Sequence, residues 1–490
     1  MALADLNITT LEDRLQRLKK EPAVAAVLAA AKRPVYLVGG PVRDLILGRK
    51  IEDLDLVVTE DLDEAAGKAA DKLGVRAIPL GEKPKRVYRL CPPGPSVDLC
   101  PPEGPTIEAD LLRRDLTINA MGIELTGAAG RPWIIDPSRG LADLIQGRVR
   151  FVSEDNVLVD PLRLLRLFRF AATLDLGPTS DSLDLVSKHA RLIERSAGER
   201  IRFELLKLLD APRSFQAVTA MLNHGLIEAL IPELTPLRGC GQGPYHHLDV
   251  LDHTLTALKA LEDILVDPAR DFPAQAPKIR TYLAQNFHPA LLKLTILLHD
   301  LGKPATRTEA ADGQVHFFRH EEAGLEQVER IAERLRLSTA ESGLIRALIK
   351  HHLRPFHLME ARQAGQLTPR GVFRLARDIG PHLWGLVLHA LADAEATLGP
   401  FQEQRGGPTT VRKFLNLLLE EMAAQEVQLD KTPPFLNGRD LMVAFNLKPS
   451  PLLGRILQSL KEAQAVGQVR DRSEALDLAE EILSQEDSAG

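Results

Sequence analysis

The hydrophobic period changes once along this chain, near residue 150, and that change limits its folds more than any other feature. Before it, apolar residues come in short β-prone runs. Val35-Tyr36-Leu37-Val38 is one; Gly39-Gly40 breaks it, Val42 to Leu47 can start a helix, and Leu54 to Val58 reads as the next strand. Further strand candidates stand at Val75 to Pro79, Arg86 to Leu90 and Ser96 to Cys100. After it, Leu162, Leu165, Phe168 and Ala172, then Ile201, Leu205, Leu208 and Leu209, recur at helical spacing. The expectation is a small α+β head followed by an all-helical remainder.

The organisation follows. Residues 1–145 are the head, with a helical lead-in over 1–33, and residues 146–235 are a helical neck. Residues 236–396 are again helical and hold most of the histidine: 12 of the 14 fall after residue 244. Residues 397–410, rich in Gly, Pro, Gln and Glu, read as a linker, and 411–490 as a small helical tail. With 44% hydrophobic and 26% charged residues the 490-residue chain is no disordered polymer, and its length suits two to four domains. Aromatics are only 4%, so Leu, Ala, Val and Ile must fill the core. No apolar run reaches the roughly 18 residues of a membrane span. The N-terminus lacks a secretory pattern, and Cys91, Cys100 and Cys240 suggest neither a disulfide framework nor a cysteine zinc site. These features predict a cytoplasmic protein with no membrane partner. A net charge of −6 argues against a basic coat but leaves room for a local basic groove.

The densest chemistry lies in the head. Asp53 and Asp55 are two apart on an expected strand, so both carboxylates share one face while Leu54 and Leu56 point into the core. Like charges held side by side call for a divalent cation. Gly39-Gly40 lets backbone approach a ligand, and Arg43 adds a fork donor for phosphate. No Lys-Ser/Thr follows, so this is not a Walker loop. Asp98, between Val97 and Leu99, is the best-placed third carboxylate. In Arg113-Arg114-Asp115-Leu116-Thr117-Ile118-Asn119, a helix would bring Asp115 and Asn119 onto one face, where they could hold ribose hydroxyls. In Asp160-Pro161-Leu162-Arg163-Leu164-Leu165-Arg166, Asp160 suits an N-cap with proline at the first helical position. Asp160 with Arg163 on one wall can read base edges; the plain alternative is an amphipathic helix whose Arg163, Arg166 and Arg169 form a solvated basic face.

In the histidine-rich region, His246-His247 leads to His253, then come His299-Asp300 within Leu-Leu-His-Asp-Leu-Gly-Lys303, His320, His351-His352 and Asp393. Adjacent His and Asp on an apolar helix both need partners. His253, His299, Asp300 and Asp393 fit an octahedral site of imidazoles and carboxylates, and His320 and His352 could serve a second ion or a phosphate.

Taken in order, the Gly39-Gly40-Pro41-Val42-Arg43-Asp44, Asp53-Leu54-Asp55, Arg113-Arg114-Asp115 and Asp160-Pro161-Leu162-Arg163 motifs resemble the class II tRNA nucleotidyltransferases and bacterial poly(A) polymerases. The His253, His299-Asp300, Asp393 series resembles the HD phosphohydrolase superfamily. These resemblances imply a DNA polymerase beta-type nucleotidyltransferase head, then an all-helical neck, an HD-type domain and a helical tail. Leu436-Asn437-Gly438-Arg439-Asp440 and Lys448-Pro449-Ser450-Pro451 are similar to the last module of HD-containing members. They further imply that Asp53, Asp55 and Asp98 bind Mg2+ for two-metal phosphoryl transfer to the 3′-hydroxyl of tRNA. Gly39, Gly40, Arg43, Arg114, Asp115 and Asn119 would meet triphosphate or ribose. Asp160 and Arg163 would select the base, supported by Arg166, and a second divalent metal would sit in the HD domain. The family often has an acid where Val159 stands here.

Nucleotide choice rests on a gap. Members that add adenosine commonly carry a flexible loop of about twenty residues before the Arg-Arg-Asp motif; here Asp110 follows Asp98 by only twelve residues, three of the intervening ones proline. Loss of that loop resembles the CC-adding branch, which uses CTP and leaves the terminal A to a separate enzyme. A lever role for Leu80 to Arg86, with Lys83 and Lys85, would instead permit full CCA addition with CTP and ATP. Poly(A) synthesis, a hydrolase whose head only clamps RNA, and a non-enzymatic RNA scaffold are the other readings. Three acids near phosphate argue against the last two.

Overall fold

The computed structural model describes residues 8–59, 61–82, 86–127, 134–243, 248–397, 407–431 and 433–487. His246, His247, Lys83, Lys85 and most of the expected linker lie outside them. The chain divides into two compact units, residues 1–232 and 233–490.

In the first unit, two helices, Ile8–Lys20 and Pro22–Ala30, precede a seven-stranded mixed sheet. Its strands are β1 (Val35–Val38), β2 (Asp53–Val58), β3 (Ile78–Leu80), β4 (Val87–Leu90), β5 (Ser96–Cys100), β6 (Gly122–Glu124) and β7 (Ile134–Ile135), in the order β3-β4-β5-β2-β1-β6-β7. Only β2 and β5 pair in parallel, and their register sets Asp53 beside Ser96 and Asp55 beside Asp98. The intervening Leu54, Leu56, Val97 and Leu99 are fully buried, so the core fixes which face the acids take. Helix α1 (Gly40–Leu47) follows β1 directly, and a short α2 (Ile107–Leu112) follows β5, capped by the Thr106 hydroxyl. The expected strand at 75–79 forms three residues later, over Ile78–Leu80, after Gly74 closes the preceding helix in a left-handed turn.

Helix α3 (Leu162–Leu174) is the centre of the neck. Its Leu162, Leu165 and Phe168 are buried, and it packs on α4 (Gly198–Asp210). Asp160 does not cap it: the residue before the first helical turn is Pro161, and the Asp160 carboxylate accepts from Arg200 instead.

The second unit is helical, with α5 (Val250–Val266), α6 (His288–Leu298), α7 (His320–Arg334), α8 (Thr339–His351) and α9 (Leu383–Ala396) around one core. It also holds a hairpin that helical periodicity did not foretell, β8 (Arg307–Glu309) with β9 (Val315–Phe317). Asp312 and Gly313 make its turn: the Asp312 carboxylate accepts from Gln314 N–H and Gly313 is left-handed. The helix Gly407–Lys431 begins inside the segment read as linker. Beyond it, buried Glu462 accepts from Arg374 and Arg377 and ion-pairs with Arg370, which ties the tail helices to the body. No described helix is long and apolar enough to cross a membrane.

Candidate active site and metal centre

In the head, each acid of the expected trio already has its own environment. Asp53 accepts from Ser96 Oγ at 2.5 Å. Asp98 is held by both arms of Arg89 at 2.7 Å. Asp55 lies between them and is largely buried; burial raises its carboxyl above the usual value, Arg114 opposes this, and the neighbouring Asp98 and Asp53 add to it. A cation is what such a raised, acid-flanked carboxylate lacks, so the donor set fits a hard divalent cation. The trio is nevertheless not drawn together: among the described residues, the two sets of three ligand atoms lying within 4.8 Å of one another are both in the second unit. Arg89 and Ser96, the partners of Asp98 and Asp53, were not foreseen from sequence.

Gly39 is required by close approach. Its φ is +77°, and a Cβ there would stand 2.6 Å from Arg114 Nη1 and 3.5 Å from Asp55 Oδ2. The glycine turn thus lies against Asp55 and Arg114, while Gly40 opens α1. Arg43 is turned inward rather than left open: it donates to Asp44 and, at 2.6 Å, to Asn119 Oδ1, and is only 8% exposed. Asp115 and Asn119 meet as expected in contact but not in conformation. They lie in a turn and a 3-10 helix after α2 has ended at Leu112, with Asn119 Nδ2 donating to Asp115 Oδ1 at 3.3 Å. Burial would raise the Asp115 carboxyl; Arg166, donating from Nε at 2.7 Å, outweighs it and holds the group low.

The basic residues of α3 are not a solvated face. Arg166 and Arg169 both reach buried Glu204 of α4, and Arg169, Arg43 and Arg166 surround the Phe170 ring with guanidinium carbons at 3.8, 5.0 and 5.6 Å. Arg163 donates to the carbonyls of Arg113 and Arg114 at 2.8 and 3.0 Å, clamping the Arg-Arg segment. A cleft of about 480 Å³ opens here; Pro101, Pro102, Glu103 and Gly104 form one wall, and Arg113, Arg114 and Arg163 line it too. Glu204, Phe170 and Arg200 were missed because a buried charge, a ring face and a partner brought from forty residues away leave no periodic signal.

In the second unit the acids and imidazoles do converge, in two sets, with Asp300 grouped with His320 and His352 rather than with the expected four. His253, His299 and Asp393 form the first; Asp300 joins His320 and His352 in the second. Asp300 touches both, with Oδ2 3.2 Å from His299 Nε2 and Oδ1 3.3 Å from His320 Nε2. Helix ends place these groups: His299-Asp300 follow α6, His320 opens α7 and His352 follows α8. A Cβ on Gly302 would lie 1.9 Å from the carbonyl oxygen of His320, so only glycine lets the turn after Asp300 lie against α7.

The imidazoles are pre-aimed. Nδ1–H of His299, His352 and His320 donates to the carbonyls of Ile296, Ile349 and Phe317 at 2.7, 2.7 and 3.0 Å. With Nδ1 so anchored, each Nε2 faces inward, where a bound metal would take the place of its proton. His320 Nε2 and His352 Nε2 then face each other at 3.2 Å, and His299 Nε2 faces a carboxylate oxygen. Nitrogen and oxygen donors crowded in this way fit a divalent cation. Burial alone would raise both carboxyls; His299, with Lys303 at 2.7 Å from Oδ2, holds Asp300 well below the ordinary range, and His253 with His299 holds Asp393 below it. Burial pushes His352 down to about 3, which keeps it neutral as a ligand must be.

Sheet, acids and glycine turn define a nucleotidyltransferase head, and the clustered imidazoles define an HD-type domain. The Poly A polymerase head domain matches residues 35–92 and 95–150, and the HD domain matches 250–390. A polymerase A RNA- and SrmB-binding region matches 178–237, and domain 2 of tRNA nucleotidyltransferases matches 414–479. The chain is 34% identical to the A-adding tRNA nucleotidyltransferase of Deinococcus radiodurans, over 90% of this chain and 93% of that one. It is 32% identical to the CC-adding tRNA nucleotidyltransferase of Thermus thermophilus, over 90% and 92%. In fold it is similar to the Thermotoga maritima CCA-adding enzyme complexed with tRNA, with a TM-score of 0.63 at 20% identity, over 97% of this chain and 98% of that one. The chain belongs to the class II tRNA nucleotidyltransferase family.

Proposed function

We propose that this enzyme transfers two CMP units from CTP to the 3′ end of a tRNA lacking them, and then stops. The observation that carries this reading is the short connection between Asp98 and Asp110. It is tied down at its middle: Glu103 N–H donates to Asp110 Oδ1 at 2.8 Å, and Glu103 Oε2 pairs with Arg113 at 3.3 Å. A segment this short and this engaged has no free length to swing a base-selecting helix from C to A. A separate enzyme would add the terminal A. A-only addition is the second reading, favoured by the likeness to the Deinococcus radiodurans enzyme.

Bound at Asp53, Asp55 and Asp98, Mg2+ would supply Lewis-acid activation of the 3′-hydroxyl and charge neutralisation of the triphosphate. Arg114, beside the Gly39-Gly40 turn, would face the phosphates. Arg43, Asp115 and Asn119 would hold the turn and the ribose side of the pocket through their mutual hydrogen bonds. Asp160 and Arg163 would exchange Arg200 and the Arg113 and Arg114 carbonyls for the edge of cytosine, with Arg166 kept in place by Asp115 and Glu204. Segments 1–145, 146–235, 236–396 and 411–490 would divide the labour in a cytoplasmic enzyme: chemistry, base selection, a second metal centre and RNA contact. The second centre would hydrolyse phosphoesters at RNA ends or on nucleotides.

The test uses tRNA ending at the discriminator base and tRNA ending in CC, each with CTP, ATP or both, resolved to single nucleotides. The CC reading predicts two additions with CTP on the first RNA, no further product with ATP, and no reaction on the second. A full CCA end overturns it, and addition of A alone to the second RNA establishes the other reading.

A further inference from the structure

The neck carries an aromatic ring that neither site uses. Phe203 lies on α4, whose other face, with Ile201, Leu205 and Leu208, is buried where the helix packs on α3; Phe203 itself is 48% exposed. It is one of three exposed residues, Arg200, Phe203 and Lys207, that recur at i, i+3 and i+7 and so form one stripe of the helix. A cation therefore stands on either side of the ring along the helix. Lys207 Nζ is 4.2 Å from the ring centroid, a contact that holds an aromatic side chain in place without burying it.

A single exposed phenylalanine is ordinary, but the surroundings of this one are not. Arg200, one turn earlier, donates to both carboxylate oxygens of Asp160, at 2.8 and 3.3 Å. On the Asp160 side of that ion pair, the adjacent Val159 is 80% exposed. Apolar surface left in water thus borders the Asp160–Arg200 pair on both of its chain segments. The chemistry of this surface says what would cover it. A flat apolar face between two cations suits a ring attached to phosphate: a nucleobase stacks on the phenylalanine while the cations meet the phosphodiester. A stack reads no base edge, so it tolerates an RNA end whose sequence varies.

We propose that Phe203 is a stacking platform for the last unpaired base at the 3′ end of the RNA, with Lys207, and Arg200 once released from Asp160, holding the adjoining phosphates. This rests on the reading of Asp160 and Arg163 as the base-selecting pair. Their side chains take the edge of the incoming base, and the base next to it is the last one of the RNA.

The test measures binding of the full chain to a tRNA ending at the discriminator base, in EDTA and without nucleotide, by fluorescence anisotropy of a label at the 5′ end. Two RNAs are compared, one intact and one whose last residue is abasic. The parent should bind the abasic RNA about tenfold more weakly than the intact one. Phe203→Ala and Phe203→Leu should bind the intact RNA about tenfold more weakly than the parent, with little further loss on the abasic RNA. Phe203→Leu keeps apolar bulk without a π face, so it separates stacking from packing, and Phe203→Tyr should keep the parent's discrimination. Equal binding of both RNAs by the parent overturns the proposal, as does parent-like discrimination in the Ala and Leu variants. Unchanged RNA binding in those variants with a raised KM for CTP also overturns it, because the ring would then carry the incoming base. The base-selecting reading fails separately, if Asp160→Asn still prefers CTP to UTP as the parent does.

Discussion

The two sites of this chain solve the problem of gathering charge in opposite ways. The head and neck keep their acids separately partnered: Asp98 on Arg89, Asp53 on Ser96, Asp160 on Arg200. The second unit buries Asp300, His299 and His352 almost completely, with the Nε2 atoms of His320 and His352 already facing each other. A site that must accept a changing RNA end and release pyrophosphate benefits from groups that a substrate can exchange. A site fixed by helix termini and carbonyl anchors is organised before anything enters it. Exposed partners cost little to give up, whereas buried, anchored ones do not move.

The largest expected effect breaks the head alone. Asp53→Ala or Asp55→Ala should lower CMP addition by about a thousandfold or more, the scale on which removing one member of a catalytic unit acts. Hydrolysis by the second unit should be unchanged, as read with a chromogenic phosphodiester and Co2+ or Mn2+. Asp300→Ala should do the reverse, abolishing hydrolysis while CMP addition persists. Loss of both activities in a folded Asp300→Ala protein would end the idea of two independent centres. Absence of hydrolysis in the parent under several divalent metals would mean that the second centre binds metal without turning over substrate.

A smaller effect concerns pH. Asp55 has a carboxyl raised in the folded state, so its charged form costs stability above that folded value, and the cost disappears once the group is protonated in folded and unfolded chains alike. Without metal, Asp55→Asn should therefore melt higher than the parent at pH 8, and the gap should close as the pH falls into the ordinary carboxylate range. An unchanged gap from pH 8 to pH 4 would show that burial of Asp55 is not its cause. The smallest effect is at Arg89. Arg89→Ala frees Asp98, and the Mg2+ concentration needed for half-maximal addition should fall by up to about fivefold, since a partly exposed ion pair is worth roughly 0–1 kcal/mol. A rise would mean that Arg89 orients Asp98 for the ion.

Much of this was legible in the sequence. Alternation at Asp53-Leu54-Asp55 and at Val97-Asp98-Leu99 put the acids on one face because the leucines and valine had nowhere else to go but the core. The glycine pair, the Arg-Arg-Asp segment and the His-Asp pair were likewise visible as unusual residues at fixed spacing. What the sequence hid were side-chain partners brought from far along the chain: Arg89 for Asp98, Arg200 for Asp160, Glu204 for Arg166 and Arg169. Asp160 was misread as a cap because Asp-Pro before a helix ordinarily is one, and here Arg200 competes for its carboxylate. The division of four expected ligands into two sets depends on Asp300 turning towards His320, a rotamer that no spacing encodes.

The contrast itself is open to one direct measurement. Mn2+ is titrated by electron paramagnetic resonance into the full chain and into an Asp300→Ala, His299→Ala variant, each without and with a non-hydrolysable CTP analogue. The account predicts that the parent binds Mn2+ before any nucleotide is added, and that the variant binds it tightly only once the analogue is present. Tight Mn2+ binding by the variant without nucleotide would contradict it, because the head acids would then be assembled in advance despite Arg89 and Ser96.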